Sequence, residues 1–294
     1  MSVAIRRLAL GEEHEVDAFL ATTPASTVFL RSNLARVGLA PRDRSLPFSG
    51  TWMGAFEGGA LAGVAAHLWN DNLVLSAGPH AASLARALHR EDAREDAWKG
   101  ILGPWGEVVV ARGALGMAER TTRYESKEIL YALDLAALVV PEALRDGRLH
   151  VRALETDELD PILAWRMAYE RETSNTNDTP ETRAAARARL ETYQREGHHF
   201  VCIEAGERVA YTAFNATLPD VVQVGGVYTP PDRRAKGYAR SAVAGSLLAA
   251  QARGASRGIL FTGETNLAAQ KAYRSLGFVV VGDYGIVLFE AAST

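Results

Sequence analysis

A chain of 294 residues exceeds one typical domain and fits two of about 150 residues each. With 48% apolar and 23% charged residues, it has the composition of a soluble globular protein with real cores. The formal charge is −3, with 15 basic and 18 acidic side chains in residues 1–147 and 17 of each in residues 148–294. Neither half carries the basic excess of a nucleic-acid or anionic-membrane binder.

One cysteine, Cys202, rules out an intrachain disulfide and fits a reducing compartment. It sits in the apolar run Phe200–Ile203, where an inert buried thiol is expected. Arg6 and Arg7 are followed too soon by Gly11-Glu12-Glu13-His14-Glu15 for a signal-peptide core, and no apolar run is long enough to span a membrane. A cytoplasmic protein without a membrane partner is expected.

In chain order, residues 3–9 alternate like a strand, and 12–21 and 26–38 have helical spacing. Trp52–Phe56, the turn Glu57-Gly58-Gly59 and Leu61–Trp69 read as a hairpin, followed by an apolar run at Leu73–Ala77. Residues 80–98 read as a helix, Gly100–Leu102 as a short strand, 105–115 as a helix and Tyr124–Leu135 as a long strand. Residues 139–148, with Pro141 and Gly147, make a linker.

The pattern then starts again. Val151-Arg152-Ala153-Leu154 and the helix after it echo Ile5-Arg6-Arg7-Leu8, 146 positions earlier. Phe200–Ile203, the turn Glu204-Ala205-Gly206-Glu207 and Val209–Ala216 echo the first hairpin. Asp220 to Gly226 echoes Asn72 to Gly78 at an offset of 148, and Arg257–Leu260 echoes Lys99–Leu102 at 158. A period of about 150 residues means two copies of one domain rather than a solenoid. The expected division is 1–147 and 148–294.

The copies differ after the shared strand. The second continues as VVQVGGVYTPPDRRAKGYAR over 221–240: strand, two prolines, a basic loop, then a helix from Ala239. A helix start leaves N–H groups unpaired and is partly positive. Gly237 and Ala239 would let an anion approach the main chain, and Arg233, Arg234, Lys236 and Arg240 add charge. On these residues alone, an ordinary strand–helix connection with solvated arginines is an equal alternative. Further on, Gly258–Glu264 reads as a strand, and Thr265-Asn266 opens a helix whose stripe includes Ala269, Ala272, Tyr273 and Leu276 before Gly277. Locally, Asn266 reads as a helix N-cap and Tyr273 as a half-buried tyrosine. Phe278–Val281 and Ile286–Phe289 read as closing strands.

Arg234-x-x-Gly237-x-Ala239, followed by Asn266-x-x-Ala269-x-x-x-Tyr273-x-x-x-Gly277-Phe278, resembles the GNAT superfamily of acyl-CoA N-acyltransferases. The resemblance implies an α/β fold with a mixed sheet, in two tandem domains of this type. The motifs cover about residues 221–278, and the internal repeat makes the first half a degenerate, structural copy. By the resemblance, main-chain groups of Val227, Tyr228 and Thr229 would pair with the pantetheine arm of acetyl-CoA. One N–H there would polarise the thioester carbonyl. Arg234, Ala235, Lys236, Gly237, Tyr238, Ala239 and Arg240 would wrap the pyrophosphate, and Asn266 would bond the cofactor or hold its helix. Tyr273 would protonate the departing thiolate as general acid.

The implied acceptor is a primary amine on a small molecule or peptide. A glutamate common on the family's strand before the loop is missing, since Val221–Tyr228 has no carboxylate. Glu170, Glu172 and Asp178 are candidates for that role, as are His198 and His199, for which a strand edge is expected; no base is assigned. An acyl-CoA-binding sensor without catalysis is the alternative from another class, and a thioester hydrolase is a third. No nucleotide loop, nucleophile elbow or zinc-type spacing occurs, so no metal and no nucleic acid is expected. At the offset of 158, Val108 and Leu115 stand where the second copy has Asn266 and Tyr273.

Overall fold

A computed structural model describes residues 3–92, 94, 98–174 and 176–290. They fall into two compact units: the residues up to Leu130 with those from Gly282 onward, and Tyr131–Val281.

In the first unit, β1 (Val3–Arg7), β2 (Gly50–Glu57) and β3 (Ala60–Leu68) form an antiparallel meander. Gly58 and Gly59, both at positive φ, close the β2–β3 turn, a backbone shape that favours glycine. β4 (Asn72–Ser76) joins β3 antiparallel and then runs parallel to β5 (Gly100–Gly103). α1 (Glu13–Leu20) and α2 (Pro24–Val37) bury Val16, Leu20, Leu30 and Leu34 in a cluster with Trp52, Phe56 and Val64. α3 (Ala81–Glu91) and α4 (Trp105–Ala114) cover a second cluster built on Leu73, Leu75 and Ile101.

The sheet of this unit is completed from far along the chain. β12 (Val279–Phe289) pairs antiparallel with β5, Gly285 opposite Gly103 and Leu288 opposite Gly100. Its Val287 and Phe289 are buried in the Leu73–Ile101 cluster, each worth about 2–3 kcal/mol by apolar transfer. β6 (Thr122–Asp134) starts in this unit and ends in the second.

The second unit repeats the plan. β7 (Leu149–Ala153), β8 (His199–Glu204) and β9 (Glu207–Thr217) form the meander, with Ala205 and Gly206 at positive φ in the matching turn. β10 (Val221–Tyr228) lies antiparallel to β9 and parallel to β11 (Arg257–Gly263). α6 (Leu159–Ser174) and α7 (Pro180–Glu196) pack Ile162, Met167, Ala186 and Leu190 on Val201 and Tyr211. Pro180 opens α7 behind a Thr179–Thr182 capping box, and Gly197 in the left-handed region ends it. α8 (Tyr238–Ala252) and α9 (Leu267–Ser275) follow β10 and β11. This is the mixed α/β fold in two copies that the repeat predicts.

Several expectations are corrected. The compact units divide not at 147/148 but at 130/131, inside β6, and at 281/282, where β12 enters the first unit. Phe278–Val281 and Ile286–Phe289 are not two strands closing the second copy: one eleven-residue strand runs from Val279 to Phe289, with Phe278 just before it and Gly282–Phe289 in the first unit. The helix expected over 80–98 is Ala81–Glu91, and positions 93 and 95–97 of that span lie outside the described residues. The linker holds a short helix, α5 (Glu142–Arg145). β8 lies between β7 and β9, so His199 occupies an interior strand rather than an edge.

His199 is 1% exposed, with Nε2 at 2.6 Å from Gln194 Oε1 and Nδ1 at 3.5 Å from the Tyr211 hydroxyl. Burial, with a smaller push from the charge of His198, lowers its pKa from 6.5 to about 4. Between those values the unfolded chain binds the proton and the folded one does not, so stability falls as pH falls. Urea unfolding should register a loss of about 2 kcal/mol between pH 7 and pH 5. His199→Gln should flatten that dependence; an unchanged slope would remove His199 as its origin.

Candidate functional site

β10 holds both its neighbours over only part of its length. Its parallel register with β11 runs Val221–Arg257, Val222–Gly258, Gln223–Ile259 and stops, whereas β10 continues beside β9 to Tyr228. On the β9 side one extra residue is accommodated between the Gly225–Ala213 and Tyr228–Tyr211 pairs, a bulge with Gly226 at φ 60°. The end of β10 is therefore bulged on one edge and free of its parallel partner on the other.

The glycine pair at the bulge makes room for two polar side chains. A Cβ at Gly225 would lie 1.9 Å from Nδ2 of Asn215, whose Oδ1 accepts a 2.9 Å hydrogen bond from the Tyr193 hydroxyl. A Cβ at Gly226 would lie 3.0 Å from Nη1 of Arg166, an α6 residue that is 8% exposed. Sequence reasoning passed over Arg166. The signal was present, since the arginine stands in the apolar stripe Ile162, Leu163, Met167.

Beyond Tyr228 the chain makes a one-turn 3-10 helix at Pro231–Arg233 and then a loop in which Ala235 (φ 64°) and Gly237 (φ 83°) are both left-handed. Alternation of this kind turns successive N–H groups to one side and forms a concave nest. Among the described residues, nothing accepts a hydrogen bond from the backbone N–H of Ala235, Lys236, Gly237, Tyr238, Ala239 or Arg240. Six consecutive unpaired donors at the start of a fifteen-residue helix are the donor arrangement that suits an anion.

The basic side chains divide. Arg233 is paired with Glu207 at 2.7 Å. Arg234 is paired with Glu172 at 2.7 Å, donates through Nε to the Thr229 carbonyl at 3.0 Å, and lies over the Tyr228 ring. Lys236 and Arg240 have no carboxylate partner among the described residues. Tyr238 is buried and anchors the helix start by donating its hydroxyl hydrogen bond to Glu204, so only its main chain faces the loop.

Asn266 caps α9, its Oδ1 accepting from Ala269 N at 3.2 Å. Tyr273 is 8% exposed, with its ring between Tyr131 at 6.4 Å and Phe278 at 6.1 Å. The hydroxyl of Tyr131 is buried and has no hydrogen-bond partner among the described residues. The candidate bases are all engaged: Glu170 with Arg166 at 2.7 Å and Arg189 at 3.6 Å, Glu172 with Arg234, and Asp178 with Arg183 through both oxygens. His198 lies 2.9 Å from Glu196. Cys202 is fully buried, which pushes its thiol up to about 12 and keeps it unreactive. Among the described residues no group of three or more His, Cys, Asp or Glu is placed to hold a metal ion, and no helix is long and apolar enough to cross a membrane.

The first unit has a different arrangement at the matching place. Ala77 and Gly78, 148 positions before Gly225 and Gly226, donate their N–H groups to the carboxylate of Glu107 at 2.7 and 2.9 Å. The donors there are already satisfied from within.

The second unit is thus an α/β domain in which a parallel strand pair splays beside a bulge and a run of unpaired N–H groups opens the following helix. Residues 159–278 match the acetyltransferase (GNAT) family model. Among solved structures the chain is similar to a tandem GNAT protein from the clavulanic acid biosynthesis pathway, at 15% identity and a TM-score of 0.53 over the whole of both chains. It is also similar to a GCN5-related N-acetyltransferase from Sphaerobacter thermophilus, at 14% identity and a TM-score of 0.59, covering 99% of this chain and 98% of that one. A Drosophila protein aligns at 13% identity and a TM-score of 0.66, covering 98% and 99%. These likenesses are of fold. No curated protein matches the sequence.

The Asn215 amide occupies the space a side chain at position 225 would need. Gly225→Ala is expected to destabilise the second unit by about 2 kcal/mol through overpacking and disturbance of the Tyr193 hydrogen bond. Equilibrium denaturation measures it; an unchanged midpoint would mean that Asn215 yields without cost.

Proposed function

We propose that the second unit transfers an acyl group, acetyl in the first instance, from acyl-CoA to a primary amine. The observation that carries the reading is the run of six unpaired N–H groups from Ala235 to Arg240. They suit a pyrophosphate, with Lys236 and Arg240 adding charge at the rim and Arg234 steadying the loop through Thr229 and Glu172. The splayed edge of β10 suits the amide-bearing arm of the same cofactor, whose amides would pair with Val227, Tyr228 and Thr229 as an added strand does. Acyl-CoA supplies an activated thioester carbonyl, and an N–H at the bulge would donate a hydrogen bond to the oxygen on which charge develops.

Tyr273, held between Tyr131 and Phe278, would donate its proton to the departing thiolate. Asn266 would act indirectly, fixing the start of the helix that carries Tyr273. The first unit would be structural, because Glu107 holds the two N–H groups that match the bulge of the second. The engagement of Glu170, Glu172 and Asp178 in ion pairs favours one competing reading, an acyl-CoA-binding module without catalysis.

A panel of primary amines with acetyl-CoA, followed by free-thiol detection, separates the two: thiol release dependent on an amine supports transfer, and CoA binding without it supports the module. Tyr273→Phe is expected to lower kcat by about 10- to 100-fold while CoA affinity stays within about threefold. Unchanged turnover would remove the acid role. Gly237→Val, a β-branched residue at φ 83°, should weaken CoA binding by at least about tenfold in calorimetry; intact binding would sink the pyrophosphate assignment.

A further inference from the structure

Arg166 is more than nine-tenths buried, yet most of its hydrogen-bonding capacity is unspent. Its Nε donates to Glu170 Oε1 at 2.7 Å; among the described residues Nη1 and Nη2 donate to nothing. A guanidinium cannot shed its charge, so its remaining donors call for an anion. Glu170 supplies only one negative charge and shares it with Arg189, whose Nη1 is 3.6 Å away. Two cations facing one carboxylate leave a net positive charge in a site walled by the phenol rings of Tyr169, Tyr193 and Tyr211. The location is the bulge of β10: Nη1 stands 3.0 Å from where a side chain at Gly226 would begin.

We propose that Arg166 receives a carboxylate of the acceptor, so that the substrate is an amino acid or a similar amine with an acid group close to the nitrogen. The assignment rests on the acyltransferase reading, which puts the transferring carbonyl at the same bulge. A planar guanidinium with free donors reads a carboxylate through two parallel hydrogen bonds. Glu170 then has a supporting role: it orients Arg166 from the neighbouring helical turn and keeps the free edge directed at the bulge. Gly226 is needed for the same reason, since any larger residue would press on the guanidinium.

The test compares α-amino acids with their carboxamides and their decarboxylated amines as acceptors, with acetyl-CoA and free-thiol detection. In the unmodified protein the acids should exceed the amides in kcat/KM by about tenfold or more. Arg166→Gln should raise KM for the acids by a similar factor and abolish their advantage over the amides, with a smaller change for the decarboxylated amines than for the acids. Arg166→Lys should recover part of the loss. Gly226→Ala, which displaces the guanidinium without removing it, should shift KM in the same direction. Equal use of acid and amide overturns the carboxylate site while leaving acyl transfer intact. A preference for succinyl-CoA over acetyl-CoA that disappears in Arg166→Gln overturns it too, by moving the carboxylate to the acyl group. Thiol release with no amine at all overturns the transferase reading and this assignment together. The acid–amide comparison in the unmodified protein decides the question even where a variant fails to fold.

Discussion

The second unit depends on a place where hydrogen bonding stops. After Gln223 the parallel ladder between β10 and β11 ends, and β10 goes on with one partner. Exposed strand edges are a hazard that proteins commonly cover, so an uncovered one inside a sheet has to be held open. The bulge at Gly226 does this by turning β10, and its two glycines leave space that neighbouring side chains take up. Asn215 fills the space beside Gly225, and Arg166 that beside Gly226. The loop and helix that follow leave the strand at a fixed angle, with their N–H groups gathered on one side. Each element of the site is positioned relative to that gap.

The two units make the same point from opposite sides. Both have an antiparallel meander, a fourth strand and a short parallel pairing to a fifth. In the first, a glutamate on α4 reaches the strand end and satisfies its N–H groups; burial raises the Glu107 pKa despite the two hydrogen bonds that favour its charged form. Satisfying those donors internally removes any need for an outside partner. The second unit has no such glutamate at the matching place and adds the Arg233–Arg240 loop, whose N–H groups from Ala235 to Arg240 are unpaired among the described residues. A fold that tolerates either state separates what the architecture needs from what binding needs.

Much of this was legible in the sequence because it is local. Turn glycines, the Asn266 cap and the loop between Pro231 and Gly237 act through neighbours within a few residues, and each lies where the spacing put it. What the sequence did not reveal depends on distant partners. Glu207 and Glu172, which engage Arg233 and Arg234, are 26 and 62 residues away. The apolar runs at Val279–Val281 and Ile286–Phe289 announce strand but carry no information about which sheet receives it. Arg166 was hidden differently: its helix reads as an ordinary amphipathic one unless an arginine within the apolar stripe is taken as a question.

The placement of β12 bears on how the chain is made. Residues 282–289 leave the ribosome only after all of the second unit has been synthesised, yet they supply a strand and two core side chains to the first. Until then the first unit is without its neighbour to β5, and its Leu73–Ile101 cluster lacks Val287 and Phe289. Domains made in sequence often fold in sequence; here the earlier one has to wait for the later. The waiting edge is a strand with unpaired donors and acceptors, open to any extended segment nearby, including the same segment of another nascent copy. The β5–β12 pairing is thus also the step at which folding of the first unit is most exposed to exchange.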